Sequence, residues 1–245
     1  MLKHIAALLL FALAASAGAS AADLSNIKSV GVISAIGDRL HHAYIGSTAF
    51  TNKDSDEDMS DWTLDEFVLA EFSAQLAGRV EVKPVTYNKS DFYPDTGGII
   101  VHADLDVPAR VNAIKPADGS GPDAYIVVSN TMNDDFVGGT NQHLLGAGLY
   151  RHHGLFGGNM DAVYVSAIVT IVDARSGKEL DSIVMLMGEG GFFSRSPLHQ
   201  MVKDLWEDHF IMLTDKRAEA LEAFKSILHQ GVALSLRRLE LLPKQ

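Results

Sequence analysis

The chain has 245 residues, 47% of them hydrophobic and 21% charged, which is ample material for one folded core and rules out disorder, collagen or coiled coil as its main state. Its 20 Lys and Arg stand against 31 Asp and Glu, a formal net charge of −11, so no global positive field is present to hold a nucleic acid. The absence of cysteine excludes disulfides, thiolate metal sites, cysteine nucleophiles and cysteine-linked lipid.

Lys3 and His4, the apolar run from Ile5 to Ala14, and the small residues Ala17-Gly18-Ala19 or Ala19-Ser20-Ala21 form the three parts of a secretory signal. The expectation is a signal peptide over residues 1–21 and a single soluble domain over 22–245, exported to the periplasm or beyond. The run is shorter than the roughly 20 apolar residues that cross a bilayer, and nothing later in the chain approaches that length.

Ile27 to Ile36 reads as a buried first strand closed by Gly37-Asp38, and Ala43 to Phe50 as a second, followed by an acidic loop from Lys53 to Asp61. Leu64, Phe67, Val68, Phe72 and Leu76 recur at helical spacing, with Gly78 placed for a left-handed cap, Thr63 and Glu66 at capping-box spacing, and Trp62 and Phe67 as a staple. Val80 to Tyr87 reads as a strand, with Pro84 implying an edge position or an early end. A turn over 94–98, an extended stretch or new element over 99–105, and a loop over 115–122 surround a short helix or loop.

Ala124 to Ser129 has the uninterrupted apolar character of a central strand. The stretch from Gly138 to Gly158 has seven glycines in 21 positions and reads as a surface loop or oligomer contact. Val163 to Asp173 and Glu179 to Met187 form a long hairpin around Gly177. Ser196-Pro197 starts a helix to about Leu213, and Thr214 or Asp215 caps a last one through Ala220, Leu221, Phe224, Leu228 and Val232. The fold class is therefore α/β, a single-domain layer sandwich whose mixed, mostly antiparallel sheet carries a long hairpin and packed helices.

Three groups of residues point toward chemistry. Asp54, Asp56, Asp58 and Asp65 fall at the spacing of a calcium loop, although Met59 replaces its turn glycine and Asp65 its long bidentate glutamate. His143, His152 and His153, with His41 or His42, offer imidazoles for a metal without the usual ligand spacing. Gly138 and Gly139, together with His143, His152 and His153, mark the glycine-rich stretch as the candidate binding surface, while GxGxxG and P-loop patterns are absent.

The blocks Gly37-Asp38, Asn133-Asp134 and Asp208-His209 resemble the ordered blocks of the SGNH (GDSL-like) hydrolases, which implies a diverged esterase. The family's nucleophilic serine is replaced by Arg39, and His209 adjoins Asp208 instead of following it at a distance.

A second resemblance covers residues 28–241. The strand Ser29-Val30-Gly31-Val32-Ile33, the run Asp123-Ala124-Tyr125-Ile126-Val127-Val128, the hairpin residues Val169 to Asp173 and Ser176 to Leu180, and the closing helix resemble the periplasmic anticodon-binding-like α/β domains. These occur in the amino-terminal part of the Tol-Pal propeller protein, in curli secretion subunits and in lipoprotein activators of peptidoglycan synthases. The resemblance implies an envelope protein without catalysis or cofactor, docking a protein partner by a strand edge or the glycine-rich stretch. A calcium-linked or other metal-linked binding protein is the other alternative to this reading. The lipidated cysteine many such proteins carry is missing here.

Overall fold

The computed structural model describes residues 24–94, 105–134, 143–153, 159–187, 196–205 and 214–242. Among these, the elements in chain order are β1 (Ser29–Ala35), β2 (Arg39–Ile45), β3 (Lys53–Asp58), α1 (Leu64–Leu76), β4 (Glu81–Lys83), α2 (Val107–Ile114), β5 (Ala124–Asn130), β6 (Met132–Asp134), β7 (His143–His153), β8 (Asn159–Asp173), β9 (Glu179–Val184), β10 (Leu198–Met201) and α3 (Arg217–Arg238).

Residues of β8 are rich in Val, Ile, Tyr and Thr, which suit a strand covered on both faces, and this strand organises the sheet. Its first part pairs with β7, from Gly146↔Ser166 to His153↔Asn159, and with β10, from Leu198↔Val165 to Met201↔Ala162. Its second part pairs with β5, from Asn130↔Ala167 to Ala124↔Asp173, and with β9. Beyond β5 the strands β1 and β4 are added in parallel. Beyond β7 come parallel β2 and antiparallel β3, and the short β6 pairs with the start of β7. Two halves, β4-β1-β5-β8-β9 and β3-β2-β7-β8-β10, thus share one strand.

The side-chain alternation of the strands sorts the core into two faces. Val30, Val32, Ile126, Val128, Val163 and Val165 point to the face covered by α1 and α3. Leu64, Val68, Phe72 and Leu76 of α1 are all buried there, at the spacing one helix face requires, and Gly78 beyond its end takes a φ of +76°. Trp62 meets Phe224 of α3 edge-on, with 5.5 Å between ring centroids. On the opposite face Ile33, Tyr125 and Val127 are covered by Phe92 and by Val107 and Val111 of α2, while Ala43, Ile45, Tyr150 and Tyr164 form a smaller cluster under the other half. The architecture is the mixed α/β layer sandwich expected from the sequence, and no helix among the described residues is long and apolar enough to cross a membrane.

Several local expectations are corrected. The acidic loop is the edge strand β3, whose carboxylates face solvent, β2 or, for Glu57, Arg217 of α3, an arrangement in which charge discourages a further strand from pairing. The second strand begins at Arg39 and ends at Ile45, and Phe50 lies in a 3-10 turn between β2 and β3. Thr63 has φ +50° and makes no capping hydrogen bond, because a 3-10 turn over Ser60–Trp62 runs directly into α1. The middle of the glycine-rich stretch is strand β7, in which Gly148 lies so close to His41 O and the Tyr164 ring that a Cβ would collide with both. Pro197 precedes strand β10 instead of starting a helix, since Leu198 is buried against Gly231 of α3. The expected turn at 94–98 and the stretch at 99–105 lie largely outside the described residues.

Candidate functional site

Proline 84 has no N–H to extend the pairing of β4 with β1, so β4 stops at Lys83 while β1 runs on to Ala35. Side chains complete the uncovered edge. Ser34 N–H donates to the Tyr87 hydroxyl oxygen at 3.1 Å, and that hydroxyl donates to Ser34 O at 3.0 Å. Ile36 N–H and Ser34 Oγ both donate to Asp65 Oδ1, at 2.9 and 2.7 Å. Asp65, near the start of α1, is 1% exposed, and its Oδ2 lies 3.0 Å from Lys89 Nζ.

Lys89 reaches in the other direction to Asp38 Oδ1, also at 3.0 Å, and the Tyr93 hydroxyl donates to Asp38 Oδ2 at 3.4 Å. Burial works against the Lys89 charge, but the hydrogen bonds to Asp38 and Asp65 outweigh it and hold the ammonium above the ordinary lysine range. Burial, followed by the charges of Asp38 and Asp65, pushes the Tyr93 phenol up to about 12.

Beside this network a crevice of about 170 Å³ opens where the two halves of the sheet part. Its walls come from the Gly37–Arg39 turn after β1, Asn130 at the end of β5, Gly146 of β7 and Tyr93. Gly146 has φ +58°, and a Cβ there would stand 2.9 Å from the Asn130 side chain, so this close approach needs a glycine. On the outer rim His41 Nδ1 lies 3.1 Å from Asp56 Oδ1, and Arg39 lies 3.8 Å from the same carboxylate. The ends of parallel strands are where open α/β sheets place ligands, but this crevice is smaller than the roughly 300–1,000 Å³ of small-molecule sites.

Gly37-Asp38 does end β1, as the hydrolase resemblance implies, yet Asp38 is engaged by Lys89 and Tyr93. Asn133 turns inward, donating to Ser166 Oγ at 2.6 Å. The hydroxyls of Ser34 and Ser166 are fully buried and donate to Asp65 and to Thr131 O. Asp208 and His209 lie outside the described residues. No serine or threonine lines the crevice among the described residues, and the arrangement holds the charges of Asp38 and Lys89 in place.

The other candidate residues are not brought together. Asp54, Asp56 and Asp58 lie along β3, whereas Asp65 is buried under the end of β1. His143 begins β7, 3.5 Å from Asp134, and His152 and His153 end it roughly 30 Å farther along at the rise of a strand. His42 is buried, 3.3 Å from Glu57. Among the described residues no three His, Asp or Glu side chains are grouped to hold a metal. Gly138 and Gly139 lie outside the described residues. Sequence reasoning passed over Tyr87, Lys89 and Tyr93; the early end of β4 at Pro84 was the signal that the edge of β1 needed other partners.

One further feature stands at the opposite end of β2. The turn to β3 is held by Gly46 N–H to Asn52 Oδ1 at 3.0 Å, Thr48 N–H to Thr51 Oγ1 at 3.2 Å, and Thr51 Oγ1–H to Thr48 O at 2.7 Å. This ordered tip presents Phe50 at 100% exposure. The strand that leaves it, β3, pairs on one side only among the described residues.

No protein-family model matches the chain, and no curated protein matches its sequence. Among solved structures, the chain is similar to a DUF330 protein from Xanthomonas campestris, with a TM-score of 0.41 and 9% identity across 87% of this chain and 84% of that one.

Proposed function

We propose that this chain is an exported, non-catalytic protein of the cell envelope, akin to the periplasmic anticodon-binding-like domains, that acts by docking a protein partner at the tip of the β2–β3 hairpin. The observation that carries the reading is Phe50. A wholly exposed aromatic ring gains nothing from burial within the fold, yet the tip that presents it is held by three side-chain hydrogen bonds. Rigid aromatic anchors of this kind dominate the energetics of protein interfaces. The engaged state of Asp38 and Asp65 supports a binding role over the diverged-hydrolase alternative.

The test uses the full chain and its Phe50→Asp variant, with the surface change Lys203→Ala as a control, each expressed in cells with a photo-crosslinking residue at position 48. Release of the shortened chain by osmotic shock is the expected sign of export. A partner crosslinked by the parent and the control but lost in Phe50→Asp is the expected result. A partner retained by Phe50→Asp, or none at all, overturns docking at this tip. Hydrolysis of short activated esters by the purified chain would instead favour the enzyme reading.

A further inference from the structure

The hairpin that carries Phe50 also ends the sheet, and its last strand leaves backbone groups unused. Met59 N–H donates to Asp38 O at 2.8 Å, and β2 and β3 continue from there in register, through Arg39↔Asp58 to Tyr44↔Lys53. In an antiparallel ladder, pairs that exchange bonds alternate with pairs that do not, so Leu40, His42 and Tyr44 turn their backbone groups to Glu57, Ser55 and Lys53. Asp54, Asp56 and Asp58 therefore turn theirs away from β2. The far side of β2 agrees, since His41 O, in the residue opposite Asp56, points at Gly148 of β7. Among the described residues no further strand takes up these three backbone donors and acceptors.

The side chains of the same three residues are exposed and share one face of β3, opposite the face on which Glu57 meets Arg217 of α3. They are spread over about 13 Å at the rise of a strand. Their charge is only partly cancelled. Asp56 lies 3.8 Å from Arg39 and 3.1 Å from His41, but no cation stands within ion-pair distance of Asp54 or Asp58 among the described residues. The Ser60 hydroxyl and then its N–H, at 2.7 and 3.2 Å, hold the Asp58 carboxyl below the usual carboxylate range, so it stays ionised. Such an edge rejects a second copy of itself, because two β3 strands side by side set carboxylate against carboxylate. The same charges admit a strand of opposite sign, which is how an interface selects one partner by penalising others.

We infer that the partner docked at the Phe50 tip adds an extended segment to the free edge of β3, with Lys or Arg at alternate positions facing Asp54 and Asp58. This inference rests on the docking reading and supplies the partner's chemistry. The three outward backbone pairs bind any extended chain, and the two unpaired carboxylates choose a basic one with the period of a strand.

The experiment measures, by fluorescence anisotropy at fixed ionic strength, binding to the full chain of a short peptide alternating lysine and threonine. The comparison peptide has the same composition with its lysines and threonines in two blocks. The alternating peptide is expected to bind about fivefold tighter or more. Asp56→Pro removes an outward N–H and leaves the ladder to β2 whole, whereas Asp56→Asn removes only the charge; the proline is expected to weaken binding about tenfold beyond the asparagine. Asp54→Lys with Asp58→Lys is expected to reverse the preference toward a peptide alternating glutamate and threonine, a result that does not depend on how the proline variant folds. Equal binding of the two lysine peptides, equal loss in the proline and asparagine variants at the parent's Tm, or an unreversed preference overturns the inference. In cells, a partner crosslinked at position 48 that is lost in Phe50→Asp but kept by the charge-reversed chain overturns the edge and leaves the tip. Peptide selection as expected with no crosslinked partner overturns the tip alone.

Discussion

Asp65 shows how one buried carboxylate can be structural when its spacing in the chain suggests a ligand. Its Oδ1 accepts from Ile36 N–H and Ser34 Oγ, closing the edge of β1, and its Oδ2 faces Lys89 Nζ. Asp65→Ala leaves the Ile36 N–H without its partner and one of the Lys89 contacts empty; the expected loss is about 2–4 kcal/mol in denaturant unfolding. Asp65→Asn, which keeps an acceptor but not the charge, should lose less. The same network sets an alkaline limit. Lys89 and Tyr93 both hold their protons more tightly in the folded chain than their ordinary values of 10.5 and 10.0 would allow. The unfolded chain therefore releases protons first as the pH rises. Their contribution to stability is complete below about pH 10 and is lost as the pH climbs through about 12, with Tyr93→Phe expected to flatten the decline in unfolding free energy measured across that range.

At the scale of elements, β7 and β8 are tied by more than their backbone ladder. Arg151 and Asp161 face each other in register and form a two-pronged pair at 2.6 Å for each contact, with the Asp161 side chain 4% exposed. The hydrogen bonds to Asp161 come first among the causes that hold the Arg151 charge. Removing one member of such a pair strands the other in a poorly hydrated place, so Asp161→Ala is expected to cost about 3–5 kcal/mol by equilibrium denaturation. The double change Arg151→Met with Asp161→Leu should recover most of that loss, because neither charge is then left behind. The helix α1 was legible from its apolar spacing and from Gly78, and the β8–β9 hairpin from two β-rich runs around Gly177, whose φ is +68°. Strand β3 was not, because Lys53 to Asp58 lacks the apolar alternation that marks a half-buried strand; it is held by its ladder to β2 and by charge pairs with His41 and Arg217.

For the molecule as a whole, the decisive feature is that β8 serves two half-sheets, so that contacts far apart in sequence must close together. The parallel junction of β2 with β7 depends on Gly148, and Gly148→Ala is expected to cost about 1–3 kcal/mol in a denaturant melt, since His41 O is backbone and cannot move aside alone. Local patterns carried the α/β class, the apolar strands β1 and β5, the closing helix and the acidic, cysteine-free character of the chain, because periodicity and composition report directly on which face of a segment meets the core. The sites followed a different logic. Asp65 reached the end of β1, and the outward backbone groups of Asp54, Asp56 and Asp58 the edge of the sheet, through pairings between separate segments, as in Ser34 with Asp65 and His41 with Asp56. Such meetings are set by the register of strands and by where a proline stops one of them, and neither quantity is encoded in the spacing of any single segment.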